Sequence, residues 1–263
     1  MNKVIGIIPA RYGSTRFPGK PLAMIGPPPH KHMFLRVYEQ SKLCPDLDYI
    51  ILATDNDKIY REAKGHEVPV VLTNVNHPSG TDRCLEAAQI LELDDTDIVV
   101  CIQGDQPALH PEMLSQVISP FSDSHVVATT LMRMENRKKY LLDPDSAKIV
   151  TDNNFDMIYM SRSVIPYTRE EDMINLWIHV GICAFRMPTL RRFVELGPGK
   201  LESIEGLEQL RFIENKIPLK MVITRHIARG VDRPRDIKIV EKILESRLEN
   251  NSCDDKIGNI NHG

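Results

Sequence analysis

Apolar and polar positions along this chain alternate between short continuous runs and longer stretches of helical spacing. Residues 4–8, 49–53 and 97–102 are runs rich in isoleucine, valine and leucine. Such β-branched runs, bounded by glycine, proline or aspartate, read as strands buried on both faces. Residues 68–72 form a shorter run, and Pro69 inside it predicts an edge position or a strand start. Between the runs lie candidate helices. Residues 33–42 place Phe34, Val37 and Tyr38 on one side, and residues 57–65 end at Gly65. An Ala/Leu-rich helix reaches about residue 91, with Ser79 or Thr81 as its cap. This alternation predicts an α/β fold, a mostly parallel sheet with helices on both faces. Ligands in such sheets sit at the carboxyl ends of the strands.

The second half continues the pattern less regularly. Residues 126–132, 177–185 and 220–224 predict strands, and 111–121 and 190–196 predict helices. Residues 135–142 are polar and helix-like. Runs on either side of Asn153-Asn154 predict a hairpin whose returning strand is 157–162. A helix over 203–215 is expected, with Ser203 as cap and Leu207, Leu210 and Ile213 on its apolar face. A last helix should begin at Pro234 and reach about 249. From about 250 the chain is polar and Asn/Gly-rich, a composition of disordered tails. With no repeat and no linker, residues 1–249 read as one domain, with a hairpin lobe at about 143–186.

Composition narrows the function. Of 263 residues, 26% are charged and the net charge is −3, which disfavours a general nucleic-acid binder. The five cysteines have no CxxC spacing, as expected of reduced thiols in a cytoplasmic protein. No apolar run approaches a membrane span, and the opening lacks a signal-peptide layout.

Chemistry concentrates where the strands end. The first run opens into a loop carrying Arg11, Gly13, Ser14, Arg16 and Lys20. Guanidinium forks and a lysine on a glycine-containing turn suit a polyphosphate, although a solvated basic loop has the same composition. The pattern matches neither the P-loop nor the Rossmann glycine motif. Residues 77–83 (His-Pro-Ser-Gly-Thr-Asp-Arg) open a helix whose first N–H groups can face a phosphate or a base edge; a plain capped helix fits equally. The central run ends at Gln103-Gly104-Asp105-Gln106, and Asp105 is a candidate hard-cation ligand or a helix-capping group before Pro111. His30 and His32 alternate in a proline-rich loop, as metal ligands or as solvated surface. His179 lies alone in an apolar strand, where a satisfied core histidine is the common outcome. Arg162 sits at a strand end.

These segments resemble one family. Ala10-Arg11-Tyr12-x-Ser14-Thr15-Arg16-x-Pro18-Gly19-Lys20-Pro21-Leu22 is similar to the opening signature of the CMP-Kdo synthetases, the 3-deoxy-manno-octulosonate cytidylyltransferases. Ser79–Arg83, Gln103–Pro107, the hairpin ending at Arg162-x-x-Ile165-Pro166, His179-x-Gly181-Ile182, Ile204–Arg211 and Gly230-Val231-Asp232 also match. The resemblance implies a three-layer nucleotide-diphospho-sugar transferase-like fold with a mixed sheet and a smaller lobe for sugar binding and dimerisation. It implies transfer of CMP from CTP to a 3-deoxy-ulosonic acid, Kdo by default, in a cytoplasmic homodimer.

Residue by residue, the resemblance assigns Ala10, Arg11, Gly13, Ser14, Arg16, Lys20, Ser79, Gly80, Arg83, Gln103 and Asp105 to the nucleotide. Gln103, Arg162, His179, Glu208 and Gln209 fall to the sugar acid, and Asp105 and Asp232 to Mg²⁺. Arg11, Lys20, Asp105 and Asp232 are the implied catalytic set. Three departures bear on the acceptor. Gln106 replaces a glutamate, Cys183 a tyrosine, and 27–32 reads as an insertion. They keep open an amino-Kdo, a nonulosonic acid or a non-sugar acid as acceptor, and more remotely a non-catalytic nucleotide-binding module.

Overall fold

The continuous apolar runs do become strands buried on both faces. The computed structural model describes residues 2–14, 16–169, 175–227 and 229–246. Strand β1 (Val4–Ala10) leads through a 3₁₀ turn, Lys20–Leu22, into a two-stranded ribbon, β2 (Met24–Ile25) and β3 (Lys31–His32). Helix α1 (Met33–Ser41), β4 (Tyr49–Thr54), α2 (Asp57–Gly65), β5 (Val70–Leu72), α3 (Gly80–Ile90) and β6 (Ile98–Cys101) follow. The second half holds α4 (Pro111–Ile118), β7 (Ala128–Glu135), α5 (Lys138–Leu141), β8 (Lys148–Thr151), β9 (Met157–Ser161) and β10 (Leu176–Arg186). Helices α6 (Met187–Glu195), α7 (Lys200–Glu205), α8 (Leu210–Glu214) and strand β11 (Lys220–Ile223) complete the named elements. The chain is helical again over 237–246.

The main sheet runs β11-β7-β10-β6-β1-β4-β5 and is mixed. β6, β1, β4 and β5 pair in parallel, while β10 is antiparallel to both β6 and β7. β5 is the edge strand that Pro69 foretold. Period-two alternation divides the strands between two cores. Ile5, Ile7, Ile51, Ala53, Val99 and Cys101 pack on one face with residues of α3, α6 and α8. Ile8, Ala10, Ile50, Leu52, Ile98 and Val100 pack on the other with residues of α1, α2 and α4. This is the physical basis of three layers: helices cover both faces, so neither side of a strand can be polar.

Several boundaries differ from the expectation. The helix expected over 203–215 is two helices, because Gly206 takes a left-handed conformation (φ 61°) that ends α7. Ser203 does not cap it: Gly199 stands at the cap position, and the Ser203 hydroxyl donates back to the Gly199 carbonyl at 2.7 Å. The hairpin forms, β8 against β9, with its turn at Asn153-Asn154 as expected: the Asp152 carbonyl accepts from Phe155 N–H at 3.1 Å across it. Asp152 Oδ1 accepts from the N–H groups of Asn154 and Asp156 at 2.9 and 2.8 Å. The tail expected from 250 lies outside the described residues, as does the end of the last helix.

What the topology does for function is to bring loops together. β1, β4 and β6 are neighbours and parallel, so their carboxyl ends share one edge. The loops after them begin at Arg11, Asp55 and Ile102. β10 adds a bulge between Val180 and Cys183, at Gly181, where a Cβ would lie 3.7 Å from Gln106 and 3.8 Å from Gln103. The kink brings β10 close to the loop that carries Asp105.

Candidate active site

The loop after β1 folds back on itself through backbone bonds. The Tyr12 carbonyl accepts from the N–H groups of Ser14 (2.9 Å) and Gly19 (3.0 Å). Gly19, with φ 69°, supplies the left-handed step that turns the chain into Lys20–Leu22. This projects Lys20 over the end of β6. Its Nζ lies 2.8 Å from Asp105 Oδ2 and 3.8 Å from Asp232 Oδ1. Arg16 reaches the same Asp232 oxygen at 3.2 Å. Two carboxylates separated by more than a hundred positions in sequence thus converge on one ammonium.

Backbone packing fixes that convergence. Gly104 presses on β1 so closely that a Cβ would lie 2.5 Å from the Pro9 carbonyl oxygen. Gly80 also approaches Pro9, and a Cβ there would lie 3.2 Å from its ring. The Asp105 carbonyl accepts from Val231 N–H at 2.9 Å, which ties the 229–232 segment to the end of β6. Buried Asp236 then accepts from the N–H groups of Asp232 (3.0 Å) and Arg233 (2.8 Å) and holds Asp232 in place.

Together these segments enclose a cavity of about 370 Å³. Of the expected nucleotide and metal residues, Ala10, Arg11, Ser14, Arg16, Lys20, Ser79, Gly80, Arg83, Gln103, Asp105 and Asp232 line it. Gly13 lines an adjoining hollow of about 410 Å³, which shares Arg11 and Arg83 with the first. Arg83 is buried, and its guanidinium bonds Asp55 Oδ2 at 2.8 Å and the Asn74 carbonyl at 3.3 Å. It is therefore wall as much as ligand group. Asp55 also accepts from Tyr12 N–H at 3.2 Å, so one carboxylate braces both the basic loop and α3.

Of the five residues expected around the sugar acid, Gln103 lines this cavity, and Arg162, His179, Glu208 and Gln209 lie off its lining. Glu208 touches it indirectly: its carboxylate accepts from the hydroxyls of Ser79 (2.8 Å) and Thr81 (2.9 Å). Burial pushes the Glu208 carboxyl up, and those hydroxyls partly offset this. Gln209 Nε2 reaches Cys183 Sγ at 3.7 Å, and Cys183 contacts Thr130 Oγ1 at 3.4 Å. His179 Nε2 lies 2.9 Å from the same Thr130 hydroxyl. Gln209, Cys183, Thr130 and His179 thus form one chain of contacts beneath the β10 bulge. Burial pushes the Cys183 thiol up to about 12, which makes it an inert packing group and not a nucleophile. Arg162 stands apart at the end of β9 and bonds the carbonyls of Glu205 (2.6 Å), Pro144 (2.7 Å) and Gly206 (3.1 Å). Those bonds occupy three of its five N–H groups, and the Glu205 carboxylate accepts from the Arg162 backbone N–H at 2.9 Å.

His179 carries a measurable consequence. Burial pushes its imidazole down to about 4, from 6.5 when exposed. As pH falls, the unfolded chain takes up this proton first, so stability drops between pH 6.5 and about 4. His179→Gln is expected to flatten that part of a plot of Tm against pH. Parallel acid slopes in the two proteins would show that His179 is not neutral and buried.

Known proteins share this arrangement. The profile of the family described as Cytidylyltransferase matches residues 5–223. A 3-deoxy-manno-octulosonate cytidylyltransferase from Oleidesulfovibrio alaskensis is 46% identical over 240 residues, covering 91% of this chain and 95% of that protein. The chain belongs to the CMP-Kdo synthetase family of cytidylyltransferases. A second family member, from Parabacteroides distasonis, is 40% identical over 258 residues, covering 94% of this chain and all of that one. A solved CMP:2-keto-3-deoxy-manno-octonic acid synthetase complexed with CTP superposes with a TM-score of 0.86 at 30% identity, over 94% of this chain and 100% of its own. The fold is the family's nucleotide-diphospho-sugar transferase-like fold, with its mixed sheet and flanking helices. Among the described residues no helix is long and apolar enough to cross a membrane.

Sequence reasoning missed the bracing groups: Asp55, Thr130, Glu205 and Asp236. Asp55 had a signal, a carboxylate directly after a parallel strand. The others had none, because their partners are remote or are backbone groups.

Proposed function

We propose that this protein is a 3-deoxy-manno-octulosonate cytidylyltransferase: it transfers CMP from CTP to the anomeric hydroxyl of Kdo and releases pyrophosphate. The observation that carries the reading is Lys20 held between Asp105 and Asp232 beside Arg11 and Arg16, in a cavity at the carboxyl ends of β1 and β6. The family relationship supplies the substrates.

The anomeric oxygen attacks the α-phosphorus in line. An O–P bond forms, the bond to the bridging oxygen of pyrophosphate breaks, and the hydroxyl proton leaves to solvent. Such transfer depends on positioning and charge neutralisation more than on covalent help from the protein. Arg11, Arg16 and Lys20 neutralise charge growing on the departing pyrophosphate. Ser79, Gly80 and Gln103 present short polar groups to the nucleotide. Asp105 and Asp232 fit Mg²⁺: both donors are carboxylate oxygens, and they already converge on one cation, the Lys20 ammonium. Bound there, Mg²⁺ supplies Lewis-acid charge neutralisation at the α-phosphate.

For the acceptor, Arg162 offers its remaining N–H groups and its charge to the sugar carboxylate. His179, Glu208 and Gln209 complete that side, behind Ser79 and the β10 bulge. A homodimer in the cytoplasm goes with this reading. Exposed Ile158 on the hairpin and Tyr167 beyond it are apolar area that a second subunit would cover. One observation bears on a second acceptor. The Gln106 amide oxygen is buried without a partner among the described residues, on a side chain beside Gly181. An unpaired buried acceptor invites a donor, which a Kdo hydroxyl or the amine of an amino-Kdo can supply.

Pyrophosphate release tests both readings. With CTP, kcat/KM for Kdo is expected to exceed that for an amino-Kdo and for a nonulosonic acid by at least about tenfold, the scale of one or two hydrogen bonds. UTP, ATP and GTP should serve poorly. Preference for the amino sugar would favour the second acceptor, and no turnover with any acid would remove the enzymatic reading.

A further inference from the structure

Away from the cavity, three side chains that the reaction does not use face one another. His32 ends β3 and stands at the cap position of α1. Glu62 lies in the last turns of α2, and His66 follows four residues later at its C-cap, so the two share one face. One ligand atom from each of the three lies within 4.8 Å of the other two. We propose that His32, Glu62 and His66 form a binding site for a transition-metal ion of the zinc class, which ties the β2–β3 ribbon to the end of α2.

Two features make this more than proximity. The Leu22 carbonyl lies 2.8 Å from His32 Nδ1. A carbonyl only accepts, so Nδ1 donates to it and Nε2 is left facing Glu62; metal-binding histidines are oriented in this way. Nε2 and Glu62 Oε2 are 3.6 Å apart, beyond a hydrogen bond. Ligand atoms on a tetrahedral zinc ion lie about 3.3 Å apart, given bond lengths near 2 Å. The gap is thus the width of an ion, and small side-chain movements of Glu62 and surface-lying His66 close the rest. Buried Phe34 sets both rings: it stacks on His32 at 5.7 Å and meets His66 edge-on at 6.4 Å.

Two imidazoles and one carboxylate suit zinc, nickel or copper(II) and not magnesium. Three protein ligands leave a fourth position for water. His30 takes no part: it lies 4.0 Å from Glu241, so the two alternating histidines serve different neighbours. The other mixed cluster, His110, Glu112 and His226, is built differently. Its imidazoles stack at 3.7 Å and 7°, which sets their in-plane lone pairs side by side instead of on a common point. The proposed ion has a link to catalysis through structure only. The Leu22 carbonyl that orients His32 belongs to the 3₁₀ turn carrying Lys20.

The test uses the full chain stripped with EDTA, in excess Mg²⁺ to fill the carboxylate site, with no nucleotide. Zn²⁺ titrated by calorimetry should bind at one tight site per chain and raise Tm, and Co²⁺ should give visible ligand-field bands. His66→Ala and Glu62→Gln should each weaken Zn²⁺ binding at least about tenfold and dim the Co²⁺ bands. Both should keep the metal-free Tm of the parent, since these side chains lie toward the surface. His226→Ala should leave binding unchanged. No Zn²⁺ binding under Mg²⁺, unchanged binding in His66→Ala, or loss in His226→Ala alone would each overturn the proposal.

Discussion

Asp105→Asn is expected to lower kcat by about two to three orders of magnitude and to leave Tm close to that of the parent. The substitution keeps the shape of the side chain and removes its charge. That charge faces the Lys20 ammonium at 2.8 Å and, in the proposed mechanism, would join Asp232 in holding a divalent cation. Loss of one group that stabilises charge in the transition state of a closed site typically costs 10²–10³ in rate. Stability should change little, because the Asp105 side chain is 30% exposed and its pairing is screened. Asp232→Asn should behave alike, at 48% exposed. The measurement is pyrophosphate release at saturating CTP, Kdo and Mg²⁺, beside a thermal melt. Turnover within a few fold of the parent would take Asp105 out of the catalytic set. A collapse of Tm would assign it a structural role instead.

The reason both carboxylates matter is visible in how little else holds the site. Asp105 and Asp232 come from loops joined by the backbone bond from Val231 N–H to the Asp105 carbonyl, and Asp236 braces the Asp232 loop from within. Lys20 comes from a third loop and bridges the other two. Without a bound polyphosphate, cation and carboxylates satisfy each other. On the proposed mechanism, a triphosphate would compete for the ammonium and free the carboxylate oxygens for metal, which would couple nucleotide and metal binding through Lys20.

Much of this site was legible in the sequence, and the reason is topological. A residue directly after a buried parallel strand lands at the carboxyl edge of the sheet whatever the strand order. Arg11 after β1 and Asp105 just past β6 could be placed from alternation alone. Asp232 could not, since no strand precedes it closely; only its resemblance to the family's Gly-Val-Asp segment pointed there. Partner choice was the other gap. Arg83 was read as a group facing the nucleotide, yet its guanidinium is held by Asp55, a pairing that requires β4 beside β1 with α3 packed across them. Arg162 had the same difficulty in reverse: two of its carbonyl partners, Glu205 and Gly206, lie where Gly206 ends α7 in a left-handed turn beside it. A glycine in a helical pattern is only mildly unfavourable, so the break at 206 was not forced by propensity. Glu208 was assigned to the sugar acid through the family resemblance alone, and nothing in the sequence pointed to its contacts with the Ser79 and Thr81 hydroxyls.

Gly104→Ala should be as damaging to activity as loss of a charged group, although it adds one methyl and touches no substrate. The added Cβ would lie 2.5 Å from the Pro9 carbonyl oxygen and 3.5 Å from Ile8 Cγ2. The first contact is to backbone of β1, which is held by β4 through Ala10 and by β6 through Ile7, so β1 can yield little. The loop after β6 must move instead, and overpacking of this kind costs about 1–3 kcal/mol. For a chain of this size that corresponds to a fall in Tm of a few degrees. The larger effect is geometric. Asp105 is the next residue, and an outward shift of its backbone by about 1 Å stretches both the Lys20 contact and the bond to Val231. Misplacement on that scale can cost about 10²-fold in rate. A kcat/KM lower by about 10², with a Tm lower by only a few degrees and cooperative melting retained, is the expected pair of results. Gly80→Ala makes the comparison, since its Cβ would meet only the Pro9 ring at 3.2 Å, a contact that a slight shift can relieve. It should lose much less activity. Equal losses in the two variants would mean that the carboxylate is not set by the close approach of Gly104 to β1.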